Sequence, residues 1–248
     1  MKIVVVMPMY NERPNVEAIV SAVLGHGPEW NVLVVDDNSP DGTGEAADKL
    51  AAADGHVTVL HRPGKLGLGT AYRDGLSRAL AADADYVCTM DSDFSHDPAM
   101  LPHLLALARR HGAAHGSRYV AGGGTRDWGL LRKANSAMAN RLTRLALGAR
   151  LRDCTSGFRC YRRDVLVRMD PATLRARGYA VLEEMLFRCL RVSVEPAEHP
   201  IVFADRKAGE SKINLGESVK GLLTLLRLRL SRWRGPKAAP VQESARAK

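Results

Sequence analysis

Residues 86–98 read YVCTMDSDFSHDP: an apolar run from Tyr86 to Met90 that ends on Asp91, skips Ser92 and adds Asp93. A short apolar run closed by Ser, Asp and Pro predicts a buried strand over 85–90 followed by a turn. The same form recurs at IVVVMP (3–8), NVLVVD (31–36) and VTVLH (57–61), and more briefly at AAHGSR (113–118). Between these runs, residues 15–24, 44–52, 68–81 and 99–110 carry apolar side chains at helical spacing. Strands alternating with helices require right-handed crossovers, which give a mostly parallel sheet with helices on both faces. The expected fold is therefore a single Rossmann-like α/β unit.

In such sheets ligands bind beyond the carboxyl ends of the strands, where the strand order reverses. The residues that follow the four main runs are PMYNE (8–12), DDNSPDGT (36–43), HRPGKLGLGT (61–70) and DSD (91–93), all rich in polar or glycine residues. Two carboxylates spaced as in DSD can hold a hard divalent cation, which takes oxygen ligands and completes its shell with phosphate and water. Taken alone, the pattern serves equally well as a turn, because Asp side chains bond nearby backbone N–H groups. Asp36 and Asp37 can accept hydrogen bonds from a base or ribose, while the residues after them form a turn and Thr43 caps a helix. Lys65, with Gly64, Gly67 and Gly69 ahead of a helix, has the composition of a phosphate cradle without the P-loop spacing.

The second half is less regular. A glycine-rich basic loop, GGGTRDWGLLRK (122–133), precedes a helical stretch over 134–147, and a strand-helix pair is expected in 154–166. Another helix is expected over 176–190, and EPAEHPIVF (195–203) reads as an edge strand because its prolines cannot donate to a central ladder. Over 215–234, Val219, Leu222, Leu223, Leu226, Leu230 and Trp233 form one stripe, with Lys220, Thr224, Arg227, Ser231 and Arg234 opposite. The chain thus divides into a catalytic unit (1–214), a basic amphipathic helix (215–234) and a tail (235–248) with the composition of disorder.

The chain has 248 residues, 46% hydrophobic and 25% charged, which suits a folded domain with a full core. Its net charge of +9 is uneven: residues 1–125 hold 10 Lys and Arg against 15 Asp and Glu, and residues 126–248 hold 26 against 12. A basic half points to a polyanion, either nucleic acid or an anionic lipid surface. Cys88, Cys154, Cys160 and Cys189 are scattered, with neither zinc spacing nor a C-x-x-C pair, and read as reduced core residues. The N-terminus reads as a strand rather than a signal peptide, and no run reaches membrane-spanning length, so a cytoplasmic setting is expected.

Taken in order, PMYNE (8–12), VVDDNSPDGT (34–43), RPGKLGLGTAYRDG (62–75), MDSDFSHDP (90–98), GSRYV (116–120), SGFRCYRR (156–163) and FADRKAGESK (203–212) resemble the dolichyl- or polyprenyl-phosphate mannose synthases. These belong to the inverting glycosyltransferase family 2, with its GT-A nucleotide-diphospho-sugar transferase fold. The resemblance covers about residues 1–225 and implies GDP-mannose as donor, a polyprenyl or dolichyl phosphate as acceptor, and Mg²⁺ or Mn²⁺ as cofactor. By that likeness Pro8, Tyr10, Glu12 and Asp37 hold the guanosine part, Lys65 joins the donor site, and Asp91 and Asp93 carry the metal. Ser95 stands at the third metal-side position, where relatives often keep Gln. Arg118, Arg132, Arg206 and Lys212 match phosphate-binding positions, with Arg118 and Arg206 also counted as catalytic. Glu183 and Glu184 occupy a place where base-using relatives keep an acid; here they are expected to orient or support.

The implied chemistry is direct displacement at the anomeric carbon by a lipid phosphate, with inversion to a β-linked product. The amphipathic helix then suits peripheral attachment to the cytoplasmic face of a membrane, by lying on the lipid or through a separate membrane protein, or else packs on the core. Two other readings stand beside this one: the same fold using UDP-glucose or another sugar nucleotide, and a basic nucleic-acid-binding protein. The second leaves four converging strand-end motifs unexplained, and no nucleic-acid-binding motif is found, so no nucleic-acid partner is expected.

Overall fold

β1 (Ile3–Met9) alternates its side chains between two buried layers. Ile3, Val5, Met7 and Met9 face α1 (Val16–Leu24) and α4 (Leu101–His111), whereas Val4 and Val6 face α3 (Leu68–Ala81). Burial on both sides is why the run is uninterruptedly apolar, as a central parallel strand requires. β1 pairs in parallel with β2 (Trp30–Asp36) on one side and β4 (Tyr86–Thr89) on the other. The next parallel neighbour of β2 is β3 (Val57–His61), and α2 (Thr43–Ala53) links these two strands.

The sheet continues beyond β4 through β7 (Arg159–Arg162), β5 (Ala113–Ser117) and β8 (Ala197–Pro200), giving the order β3-β2-β1-β4-β7-β5-β8. β7 runs antiparallel to both neighbours and all other pairs are parallel. A second, two-stranded sheet joins β6 (Gly124–Arg126) to β9 (Val202–Ala204). The stretch 195–203 therefore makes an edge strand, as its prolines require, and then a second strand in another sheet. α5 (Leu130–Leu147) follows β6, α6 (Arg163–Met169) follows β7, and α7 (Val181–Arg191) precedes β8. α5 begins four residues ahead of its expected start, after an extended Gly129.

This computed structural model describes residues 1–204, 215–231 and 233. Arg206, Lys212, Arg234 and the tail 235–248 lie outside the described residues. α8 (Leu215–Leu230) packs against α5, α7 and the turn at 178–180. Its contact to that layer is made by Leu225 and Leu228, which are 4% and 8% exposed, while Leu223, Leu226 and Leu230 are 57%, 52% and 83% exposed. Of the stripe read from the sequence, Leu223, Leu226 and Leu230 thus face outward, while Trp233 lies against Phe187 and Arg188 of α7. Leucines so dense offer two faces, and packing selected the other.

All four cysteines are free and buried, and burial raises the thiols of Cys154 and Cys189 to about 12, as expected of core residues. Gly69, read from the sequence as part of a phosphate cradle, serves packing instead: a Cβ there would lie 2.2 Å from the carbonyl oxygen of Ala176. Gly69→Ala is expected to lower stability by about 1–3 kcal/mol, because backbone must move to admit the methyl. A urea midpoint equal to that of the parent chain would refute this account.

Candidate active site

The order β2-β1-β4 brings the ends of three parallel strands to one edge. The loop after β1 is laced to the loop after β2 by side chains: Asn11 N–H donates to Ser39 Oγ (3.1 Å), Glu12 N–H to Thr43 Oγ1 (2.9 Å) and Arg13 N–H to Asp41 Oδ2 (3.0 Å). Asn11 itself has φ +59°, a conformation that Asn tolerates better than most residues. DDNSPDGT is therefore a brace for the PMYNE loop. Asp36 accepts from Ser39 Oγ at 2.5 Å. Asp37 takes the guanidinium of buried Arg62 and the N–H of Gly67 (3.2 Å). Burial raises the Asp37 carboxyl, with Arg62 opposing.

Arg62 also approaches Asp74 at 3.4 Å and bonds Thr70, so it fastens the whole loop from β3 to α3. That loop presents Lys65, whose ammonium lies 4.0 Å from the ring centre of Tyr10. Pro8, Tyr10, Glu12, Asp37 and Lys65 are consequently brought to one strand edge, though Asp37 is already engaged by Arg62 and Gly67.

At the end of β4 the chain turns through Phe94, at φ +59°. The N–H of Asp91 donates to Nδ1 of His96 at 3.1 Å, and the N–H and hydroxyl of Ser95 both donate to Asp93 Oδ1. His96 is fully buried, stacked on Phe158 with centroids 4.9 Å apart, and burial lowers its pKa so that it stays neutral. It shapes the turn. Ser95 is 2% exposed and spends its proton on Asp93, which places it behind the carboxylate. The side chain of Asp91 is 32% exposed at the mouth. Two carboxylates, with the neighbouring His96 Nδ1 engaged by the Asp91 N–H, make a hard, incomplete oxygen set, suited to Mg²⁺ or Mn²⁺ that takes its other ligands from phosphate and water. Among the described residues no group of three His, Cys, Asp or Glu could hold a metal ion without such help.

A chain of rings leads away from this turn. Phe203 of β9 meets His96 edge-on at 5.2 Å and Trp128 at 5.5 Å, and Trp128 carries the guanidinium of Arg132 at 4.2 Å and that of Arg118 at 5.4 Å. Arg118 and Arg132, far apart in sequence, thus share one indole. Arg118 is not a bare cation: its Nε and Nη2 donate to the fully buried Asp153 at 2.7 and 2.8 Å, and Nη2 also to Thr155. Nη1 donates to no described residue. The pair raises the Arg118 pKa and lowers that of Asp153, against the desolvation of both.

Sequence reasoning passed over Arg62, Asp153, Trp128 and Phe203. Trp128 and Phe203 lay inside stretches read only for their charges and glycines, while Asp153 and Arg62 declare themselves only through partners 35 and 25 residues away. Arg159 was also missed. It is fully buried and donates to the carbonyls of Ser156, Leu182 and Cys154 at 2.7, 2.9 and 3.0 Å, fixing the SGF turn on α7.

Of the two acids on α7, Glu184 is structural: it accepts from the N–H groups of Arg175 and Ala176 and pairs with Arg188 at 2.6 Å. Glu183 lies under Gly221 of α8, and its buried Oε2 accepts no bond from a described residue. Burial lifts this carboxyl from 4.5 to about 7, with Arg159 opposing. Such a group is protonated in both states at acid pH. As pH rises from 4.5 towards 7 the unfolded chain loses the proton first, so the folded state is progressively destabilised, by about 3 kcal/mol at most. Glu183→Gln is expected to remove that part of the pH dependence of unfolding; parallel stability profiles for the two proteins would show that the carboxyl is ionised throughout.

Comparison with known proteins gives the family and the fold. The pattern described as Glycosyl transferase family 2 matches residues 4–169. An undecaprenyl-phosphate mannosyltransferase of Micrococcus luteus is 39% identical over 96% of this chain and 98% of its own length. A polyprenol monophosphomannose synthase of Mycolicibacterium smegmatis is 42% identical over 85% of this chain and 80% of its own. Among solved structures, glucosyl-3-phosphoglycerate synthase of Mycobacterium tuberculosis, in complex with Mn²⁺, UDP and glucosyl-3-phosphoglycerate, superposes with a TM-score of 0.64 at 22% identity, covering 92% of this chain and 79% of that one. The same enzyme with Mg²⁺ and UDP gives 0.64. The chain belongs to glycosyltransferase family 2, is a glycosyltransferase, and has the GT-A fold expected from its sequence.

Proposed function

We propose that this glycosyltransferase moves mannose from GDP-mannose to a polyprenyl monophosphate at a membrane surface, giving a β-linked polyprenyl-phosphate mannose. The names of the two relatives support the sugar and the lipid phosphate. The observation that carries the reading is the ring chain His96-Phe203-Trp128, which joins the carboxylate turn to two guanidiniums on one indole. One end suits a leaving diphosphate with its metal, the other an attacking anion.

Asp91 and Asp93 would hold Mg²⁺ or Mn²⁺, which when bound supplies positive charge to the departing diphosphate. The loops carrying Pro8, Tyr10, Glu12, Asp37 and Lys65 would seat the nucleoside and diphosphate. Arg132, and Nη1 of Arg118, which donates to no described residue, would orient the acceptor phosphate; a guanidinium presents its donors in a plane that matches phosphate oxygens. A phosphate monoester, with a second pKa near ~6, is already mostly dianionic at neutral pH, so displacement needs alignment more than a general base. The site fits that economy: His96 is consumed by the turn and Glu184 by a loop. Attack from the face opposite the diphosphate inverts the anomeric carbon. Arg206 and Lys212, outside the described residues, remain proposed as further phosphate ligands.

No helix among the described residues is long and apolar enough to cross a membrane. The outward stripe Leu223, Leu226 and Leu230 of α8, next to exposed Arg227 and Arg229, suits a helix lying at the lipid surface.

Labelled lipid product is expected from GDP-mannose, polyprenyl phosphate and Mg²⁺ or Mn²⁺; product from UDP-sugars but not GDP-mannose would sink the donor assignment. Asp93→Asn, which keeps an oxygen to accept from Ser95, is expected to reduce transfer by roughly 10²–10³-fold with little change in the unfolding midpoint, and EDTA to lower the transfer of the parent enzyme likewise. Full turnover in chelator would remove the metal from the mechanism.

A further inference from the structure

Two adjoining cavities flank α5. One, of about 460 Å³, holds Arg118, Thr125 and Lys133 and belongs to the acceptor end described above. The other, of about 610 Å³, is lined by Arg141 and Arg144 of α5, Arg152 of the following loop, and Tyr119, Asn140 and Leu145. Tyr119 and Ala137 line both, so the two spaces meet at one wall.

The larger cavity has an unbalanced charge. Three guanidiniums border it, no carboxylate does, and their side chains form no hydrogen bond or ion pair with a described residue. The nearby acids are spent elsewhere: Asp153 on Arg118, Glu198 on the N–H groups of Arg152 and Asp153, and Glu195 on Arg150. Like charges gathered around one space repel, and an anion placed among them relieves that repulsion. On the adjacent stripe of the same helix, Met138, Leu142 and Leu145 are 59%, 43% and 68% exposed. A soluble polyanion has no use for that apolar stripe. A lipid whose headgroup is anionic uses both.

We propose that the Arg141-Arg144-Arg152 cavity binds the phosphate headgroup of an anionic phospholipid, with the acyl chains leaving along Met138, Leu142 and Leu145. This deepens the membrane part of the proposed function and rests on it. It adds a lipid site separate from that of the acceptor and places α5 beside α8 on the bilayer. The seat is coupled to the chemistry through Asn140, one of the two buried residues of α5. Its Oδ1 accepts from the N–H of Cys154 at 2.6 Å, and its Nδ2 donates to Thr155, which also receives Arg118. A headgroup in the cavity would therefore fix the height of the acceptor end above the lipid.

The test is sedimentation of the full chain with vesicles of phosphatidylcholine containing about 30 mol% phosphatidylglycerol, a composition that gives the surface an anionic potential. Combined Arg141→Gln, Arg144→Gln and Arg152→Gln is expected to weaken binding at least about tenfold, whereas Lys49→Gln, Arg78→Gln and Arg110→Gln, which remove equal charge from α2, α3 and α4, should change it less than about twofold. Equal losses in the two variants would reduce the effect to diffuse charge and overturn the site. Inorganic phosphate should compete no better than chloride of equal ionic strength; specific displacement would assign the cavity to a free anion instead. Transfer to a water-soluble short-chain polyprenyl phosphate without vesicles should be unchanged in the first variant, and a loss there would assign the arginines to the acceptor. A parent enzyme inactive in that assay but still bound to vesicles through these arginines would remove the proposed reaction and leave the lipid site standing.

Discussion

The parallel register of β1 between β2 and β4 is the constraint on which the site depends. β4 ends level with Val6, three residues before β1 and β2 end together at Met9 and Asp36, and because all three run parallel their carboxyl-end loops share a single edge. Those loops are polar because they cannot be buried as a sheet is. Most of their polarity is spent on one another: Ser39, Asp41 and Thr43 hold backbone N–H groups of residues 11–13, and Asp37 holds Arg62. At the Asp91 end of β4 the next strand in space, β7, runs antiparallel and the Ser156-Phe158 turn packs behind. A Cβ at Gly157 would sit 3.3 Å from the Tyr72 hydroxyl, a tight approach, and 3.6 Å from Asp91 Oδ1, an ordinary contact.

The molecule keeps its carboxylate turn and its guanidiniums apart. The carboxylate turn follows β4, whereas Arg118 follows β5 and Arg132 lies in α5, in the basic second half. Between them stand aromatic rings rather than charges. Phe203 meets Trp128 edge-on, and both guanidiniums stack on the indole of Trp128. An Arg that paired with those carboxylates would compete with the metal they are suited to hold.

Much of the sheet was legible because hydrophobic runs fully buried on both faces have no other stable home, and the strand-end position of DSD follows from that alone. The loops were legible as loops, but their internal economy was not. Asp37 looks like a free ligand in VVDDNSPDGT, and only the fold reveals Arg62 beside it, 25 residues on. The glycines of RPGKLGLGT look alike in sequence, yet Gly67 adopts φ +91° while Gly69 admits a carbonyl. In α8 the run GLLTLLRLRL satisfies helical periodicity on two faces at once, so periodicity cannot say which one packs.

The pairing of Arg118 with Asp153 bears on how a buried cation can still serve a substrate. A guanidinium 8% exposed and without a counter-ion would be costly to keep charged, and a fully neutralised one would have little to offer a phosphate. Asp153 resolves this by taking Nε and Nη2 only, leaving Nη1 with its direction set by a rigid two-point contact. The orientation is then fixed before any ligand arrives, so less rotamer entropy is lost on binding. Asp153 is itself held by the bond from its N–H to Glu198 of β8, and that strand is hydrogen-bonded along β5, from which Arg118 emerges. The direction of Nη1 is therefore a property of the sheet edge, and a change in the β5-β8 register would move it.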